Sequence, residues 1–166
     1  MPRLFLVADT HFDLSCPDHI ESSTQIWNER VGADDTVWHL GDVAANLASL
    51  DVLAQLNGKK YLIAGNNDTL PAEVYLQYFM DLRGMVVFRD MSFTHVPVDS
   101  RCLDRVKLNF HGHLHTDQLI NERKPDGRYF CVSQQQHNGP ISYDHALALA
   151  LARGARIKDP TLRPQW

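Results

Sequence analysis

The chain has 166 residues, 44% of them hydrophobic, and a formal charge of −4 with its nine histidines counted as neutral. That length suits one domain with a real core, spanning 1–166. The acidic balance speaks against a general nucleic-acid or membrane binder, which carries a basic surplus, and no apolar stretch approaches the roughly 20 residues of a membrane span. Nine histidines exceed what packing alone calls for and make a metal site worth seeking. Cys16, Cys102 and Cys131 are odd in number, widely spaced and free of any CxxC pattern. They read as structural thiols of a reduced, cytoplasmic protein.

In chain order, Leu4 to Ala8 is a continuous apolar run, the pattern of a strand covered on both faces. It is too short for a signal sequence and ends in Asp9. A polar loop comes next, and Glu21 to Val31 predicts a helix with Ile26, Trp27 and Val31 on one face. Thr36 to Leu40 predicts a second strand. Ala44 to Leu56 predicts a helix with Leu47, Leu50 and Leu53 on one stripe, and Lys60 to Ala64 a third strand. This is a βαβαβ unit with a parallel sheet. A short helix over Glu73 to Met80 comes after it. Short strands are then predicted at Met85 to Phe88, Met91 to His95, Lys107 to Phe110 and Tyr129 to Ser133. A final helix over Ser142 to Arg153 takes its N-cap from Ser142 or Asp144. The tail from Lys158 to Trp166 reads as irregular.

Polar motifs follow or end five of these strands: Asp9-Thr10-His11, Gly41-Asp42, Gly65-Asn66-Asn67-Asp68, His95 and Gly112-His113-Leu114-His115. Open α/β sheets bind ligands outside the carboxyl ends of their strands, so these residues form a converging ligand set. In Asp9-x-His11 and His113-x-His115, extended backbone would point both side chains the same way. Gly41, Gly65 and Gly112 suit turns where backbone passes close to the site. Each motif alone is weak, since a lone Asp-x-His or Gly-Asp is an ordinary surface feature. Their joint occurrence in order carries the inference. Carboxylate, imidazole and amide donors suit Mn, Fe, Ni, Co or Zn, with Mn favoured, and exclude a thiolate site.

This order of motifs resembles the calcineurin-like metallophosphoesterases, over Leu4 to about Ser133. Trp27-Asn28, the stretch from Val31 to Asp42, and Leu56 to Ile63 resemble its small, compact bacterial and phage branch. The resemblance implies a four-layer α/β/β/α sandwich with mixed sheets and a site at one rim. It implies two divalent ions, the first held by Asp9, His11, Asp42 and His115. Asp42, Asn66, His95 and His113 would hold the second, with Asp42 bridging. Such ions, about 3.5–4 Å apart, clamp a phosphoryl group and ionise a bridging water for in-line attack. The expected catalytic residues are Asp42, Asn67 and Asp68, and the expected substrate contacts are Asn67 and His137.

One position departs from the family pattern: Asn67 stands where a histidine is usual. Asparagine can donate to a phosphate oxygen but cannot act as a general acid at neutral pH. His19, His39, His111 and His137 are the other imidazoles near motifs, although His39 and His111 also read as plain strand residues. Thr94 beside His95, and Arg101 and Arg105 in the following loop, read as structural and solvated. The resemblance, with Asn67 in that position, thus implies an open, shallow phosphoesterase site that prefers diesters and takes a small phosphorylated compound, nucleotides included. Long nucleic acid is disfavoured by the lack of basic stretches and aromatic platforms. A catalytically weak scaffold of the same fold is the alternative that Asn67 raises. Oligomeric state is open.

Overall fold

A computed structural model describes residues 1–121 and 123–161. Its elements run β1 (Leu4–Val7), α1 (Pro17–Arg30), β2 (Thr36–His39), a 3-10 helix (Ala48–Gln55), β3 (Lys59–Ile63), α2 (Ala72–Tyr75), β4 (Leu82–Arg83), β5 (Met85–Phe88), β6 (Met91–Thr94), a second 3-10 helix (Ser100–Asp104), β7 (Leu108–His111), β8 (Ile120–Asn121), β9 (Lys124–Pro125), β10 (Tyr129–Cys131), α3 (Gln134–His137), β11 (Ile141–Ser142) and α4 (Tyr143–Ala152). A five-stranded sheet has the order β11-β1-β2-β3-β4 and a four-stranded sheet the order β10-β7-β6-β5. Both are mixed. β1, β2, β3 and β4 run parallel with β11 antiparallel, and β6, β7 and β10 run parallel with β5 antiparallel.

The period-2 alternation of the strands sorts side chains into two cores. Phe5, Val7, Val37 and Leu62 face Trp27 and Val31 of the α1 region and Leu50 and Leu53 of the first 3-10 helix. Leu6, Trp38 and Ile63 face the other way, against Val86, Phe93, Phe110 and Phe130 of the second sheet, with Ala146 and Leu147 of α4. Each fully buried Leu or Phe is worth roughly 1.5–3 kcal/mol over exposure. On the far face of the second sheet Asn109 donates to Ser92 Oγ and Thr94 Oγ1, both at 3.0 Å, and Val98 covers it with an N–H to Asn109 Oδ1. The fold is the expected mixed α/β sandwich, with a thin outer layer on that side. Among the described residues no helix is long and apolar enough to cross a membrane.

Three helix boundaries differ from the sequence reading, each for a local reason. α1 starts at Pro17, because proline is pre-set for the first helical turn and has no N–H to lose there. The segment after β2 stays non-helical up to Leu47. Ala44 bridges Phe12, and Asn46 Oδ1 accepts from Ser49 N and Oγ, so an Asx turn consumes the first predicted turn. From Ala48 to Gln55 the chain is a 3-10 helix rather than an α-helix. α2 is one turn long, because Met80 is taken up by β3 through an N–H to Lys60 O at 2.7 Å. Ser142 is the N-cap of α4, accepting from His145 N. The Trp27-Asn28 pair is a staple: Trp27 Nε1 donates to Asn57 O at 3.0 Å and Asn28 Nδ2 to Gln55 O at 2.9 Å.

Candidate metal centre

Five loops leave the carboxyl ends of β1, β2, β3, β6 and β7. The two sheets point the same way, because Ala8 after β1 bridges Ser133 after β10 in parallel. The loops are then laced together by backbone bonds. Asp9 N donates to Gly41 O, His11 N to Asp42 O, and Gly112 N to His95 O, at 2.9–3.1 Å.

The loops bring seven sequence-predicted residues to one rim. Asp9, His11 and His115 offer donor atoms within 4.8 Å of one another, and so do Asp42, His95 and His113. Asp42 lies between the groups. Its Oδ2 is 3.6 Å from His11 Nε2 and its Oδ1 is 3.4 Å from His95 Nε2. Asn66 joins the second group through Oδ1, 2.9 Å from His95 Nε2. The two aspartates are the floor, 0% and 2% exposed. The His11 and His115 side chains stack at 5.2 Å and stay a third and nearly half exposed, which leaves the site open on that side.

The convergence does not arise from extended alternation. Asp9, His11, Asp42, His113 and His115 all have positive φ, between 42° and 68°. Non-glycine residues adopt this left-handed region at a cost that clusters at functional sites. Glycines make the turns possible. A Cβ on Gly41, itself at φ 94°, would lie 2.6 Å from His95 Nδ1, and one on Gly65 would lie 2.2 Å from Asp42 Oδ1.

Two features show that these residues fit cations. His11 Nε2 is buried and finds no hydrogen-bond partner among the described residues, although two carboxylates stand just beyond bonding distance. His95 Nδ1 is 2.7 Å from Leu40 O, which can only accept, so Nδ1 carries the hydrogen. In a neutral ring that aims the Nε2 lone pair at Asn66 Oδ1 and Asp42 Oδ1. Three electron-rich atoms facing one point suit a shared cation, and the Nδ1–H to carbonyl bond is the usual way to orient a ligating imidazole.

Other predicted residues take other positions. Asp68 stands directly behind Asp42. Its carboxylate accepts from Asp42 N, Val43 N and Gly65 N at 2.7–3.0 Å, clamping two ligand loops. The His137 ring is not brought to the ligand cluster. It stacks on Phe130 with centroids 5.5 Å apart, its Nε2 is 2.8 Å from Cys131 O, and burial holds its pKa below the usual range. His39 and His111 are buried, and desolvation pushes them down to about 3 and about 4. Thr94 Oγ1 donates to Val96 O rather than to His95, and Arg101 pairs with Asp99 at 2.9 Å. Arg105 lines a separate surface cavity with Arg89, Asp90, Lys158 and Asp159.

The sequence reading missed the supports behind the candidate ligands. Ser133 Oγ donates to Asp9 Oδ2, which also accepts from His113 N at 2.9 Å. Gln135 Nε2 donates to Asp9 O at 3.0 Å and Gln136 Nε2 to His115 O at 2.8 Å. The signal was the run Gln134-Gln135-Gln136 directly after a strand, three amides where a turn needs none.

A family model described as a calcineurin-like phosphoesterase superfamily domain matches residues 3–132. The Gene 66 protein of Mycobacterium phage D29 is 43% identical over 82 residues, covering 41% of this chain and 41% of that protein. The Gene 66 protein of Mycobacterium phage L5 is 32% identical over 109 residues, covering 63% and 49%. The chain thus spans about half the length, or less, of these relatives. Among solved structures, a protein of unknown function from Aquifex aeolicus, AQ665, superposes with a TM-score of 0.63 at 20% identity, covering 90% of this chain and all of that one. Pseudomonas putida nuclease MPE superposes with a TM-score of 0.48 at 21% identity, covering 74% and 66%. The family model takes in β1 through β10 with all five ligand loops, and the chain belongs to the calcineurin-like phosphoesterase superfamily.

Proposed function

We propose that this chain is a metal-dependent phosphoesterase that hydrolyses phosphodiesters, with small compounds, nucleotides included, as substrates. Asp9, His11, Asp42 and His115 would hold one divalent ion, and Asp42, Asn66, His95 and His113 a second, Mn favoured. The observation that carries this reading is the Asp42 carboxylate, with one oxygen toward each histidine group. When bound, such ions neutralise phosphoryl charge and lower the pKa of a coordinated water toward neutrality.

The protein's own part is to fix the donors and set the charge. Asp68 holds the Asp42 and Gly65 backbones. Asn67 donates two hydrogen bonds to Asp42, which holds its amide against the residue that would bridge the ions. An amide there is neutral and cannot protonate a leaving oxygen. Compared with an imidazolium it removes one positive charge. A monoester dianion loses about twice as much Coulomb stabilisation as a diester monoanion. That charge difference supports a diester preference.

The test is hydrolysis of bis-p-nitrophenyl phosphate and p-nitrophenyl phosphate with and without Mn²⁺. The expected result is Mn²⁺-dependent turnover with the diester faster. Asp42→Asn should lower kcat by at least about 10³, no less than loss of a single preorganised transition-state donor. A second reading, a scaffold that binds ions without catalysis, draws on Asn67. Ions bound with neither ester turned over would establish it.

A further inference from the structure

We propose that His39 is a positioning residue of the metal centre, a buried imidazole staple that sets the spacing between the loop carrying Asp9 and His11 and the loop carrying Asp42. The inference rests on the dinuclear reading above. His39 ends β2, is 0% exposed, and stands three residues before Asp42. Its Nδ1 is 3.2 Å from Gly41 N and its Nε2 is 2.9 Å from Thr10 Oγ1. Thr10 Oγ1 in turn is 2.8 Å from Val43 O.

The hydrogens in this chain of contacts have one consistent arrangement. Gly41 N–H can only donate, so His39 Nδ1 is the bare nitrogen. Val43 O can only accept, so it takes the single hydroxyl hydrogen of Thr10. His39 Nε2 must then carry a hydrogen and give it to Thr10 Oγ1. The relay runs Gly41 N–H to His39, His39 to Thr10, and Thr10 to Val43 O. It grips the residues on either side of Asp42 and the residue between Asp9 and His11. Because Asp42 faces both ion groups, this grip fixes both subsites at once. The same arrangement excludes a second hydrogen on the ring, and burial, which pushes the pKa down to about 3, keeps the ring neutral. The Phe79 ring lies edge-on to it at 6.4 Å and closes the far side.

Residues that orient metal ligands from behind typically change metal affinity about 10–100-fold when replaced. Thr10→Val keeps shape and removes the hydroxyl, Thr10→Ser restores the hydroxyl, and His39→Gln breaks the two-ended relay. The measurements are Mn²⁺ binding by calorimetry, giving stoichiometry and affinity, and the spin-coupled electron paramagnetic resonance signal of a manganese pair. Circular dichroism checks folding. Wild type should bind two ions and show the coupled signal. Thr10→Val and His39→Gln should bind about 10–100-fold more weakly and lose the coupling, and Thr10→Ser should regain both. Folded Thr10→Val and His39→Gln proteins that bind two ions as tightly as wild type, with the coupling intact, overturn the staple alone. A wild type that binds fewer than two ions overturns the dinuclear reading, and the staple with it. If His39→Gln does not fold, Thr10→Val against Thr10→Ser decides the matter.

Discussion

Asn67 is bound twice to one carboxylate, through its backbone N–H to Asp42 Oδ1 at 2.9 Å and through its side-chain amide to Asp42 Oδ2 at 2.7 Å. The side chain at this position therefore touches the residue that stands between the two candidate ligand groups. On the proposed function, replacing it with histidine would supply a titratable donor at the substrate side of Asp42. General acid help is worth about 10²–10⁴ in rate, and more where the leaving group is poor. Asn67→His should raise monoester hydrolysis relative to diester hydrolysis by about 10² for phenyl phosphate and by less for p-nitrophenyl phosphate. Steady-state kcat/KM on both monoesters and the bis-ester checks this. Equal gains on both leaving groups would show that charge, not proton donation, is what the histidine restores.

Asp68 acts on the site through backbone, by taking N–H groups from Asp42, Val43 and Gly65. A carboxylate can accept all three, whereas an asparagine presents an NH₂ to part of that donor set. Hydrogen bonds to a charged group are worth about 1.5–3 kcal/mol each, and an orphaned donor adds its own desolvation penalty. Asp68→Asn should cost about 2–4 kcal/mol in urea unfolding and also weaken Mn²⁺ binding. Unchanged metal affinity in a destabilised variant would make Asp68 a fold residue only.

A methyl group at Gly65 would sit 2.2 Å from Asp42 Oδ1 and 2.5 Å from Asp42 N, while one at Gly84 would meet nothing within 4 Å. Real Cβ atoms do not approach so closely, so one of the two loops must move. Small misplacements of reacting groups cost on the order of 10² in rate. Gly65→Ala should lose activity by about that factor or more, and Gly84→Ala should match wild type. The comparison of kcat at saturating Mn²⁺ is the check, and parity of the two variants would mean that the loops yield freely.

The candidate ligand set was legible because each motif sits where a strand stops, and strand ends follow from hydrophobic runs such as Leu4 to Ala8 and Thr36 to Leu40. The backbone that presents the ligands was not. Extended alternation was the reading for Asp9-x-His11 and His113-x-His115, yet these residues turn through the left-handed region. Asp and His enter that region more readily than most residues, but nothing in the two motifs says that they do so here; neighbouring loops fix the choice. Ala44 to Leu47 read as helix and was overridden by pairing with Phe12. His137 read as a site residue because it lies in a polar segment near motifs. In the structure its ring packs on Phe130. Ser133 and Thr10 were invisible as supports, because a hydroxyl carries no pattern until its partner is in place.

His39 also sets an expectation for acid stability. Burial first, then coupling to the neighbouring His95 and His11, pushes its pKa from the ordinary value of 6.5 down to about 3. The unfolded chain therefore binds a proton that the folded chain refuses between those two values. Its contribution to stability is complete above about pH 6.5 and is lost as pH falls toward about 3, with a slope of about 1.4 kcal/mol per pH unit for one proton. Chelator-treated wild type, unfolded in urea at several pH values from about 7 to about 4, should weaken steadily over that range. His39→Gln starts less stable and lacks this proton. Its stability should decline more gently, by a difference close to one bound proton, so the two curves converge in acid. Parallel curves would mean that His39 is solvated in the folded state and titrates normally, and the neutral relay from Gly41 to Val43 would lose its physical basis.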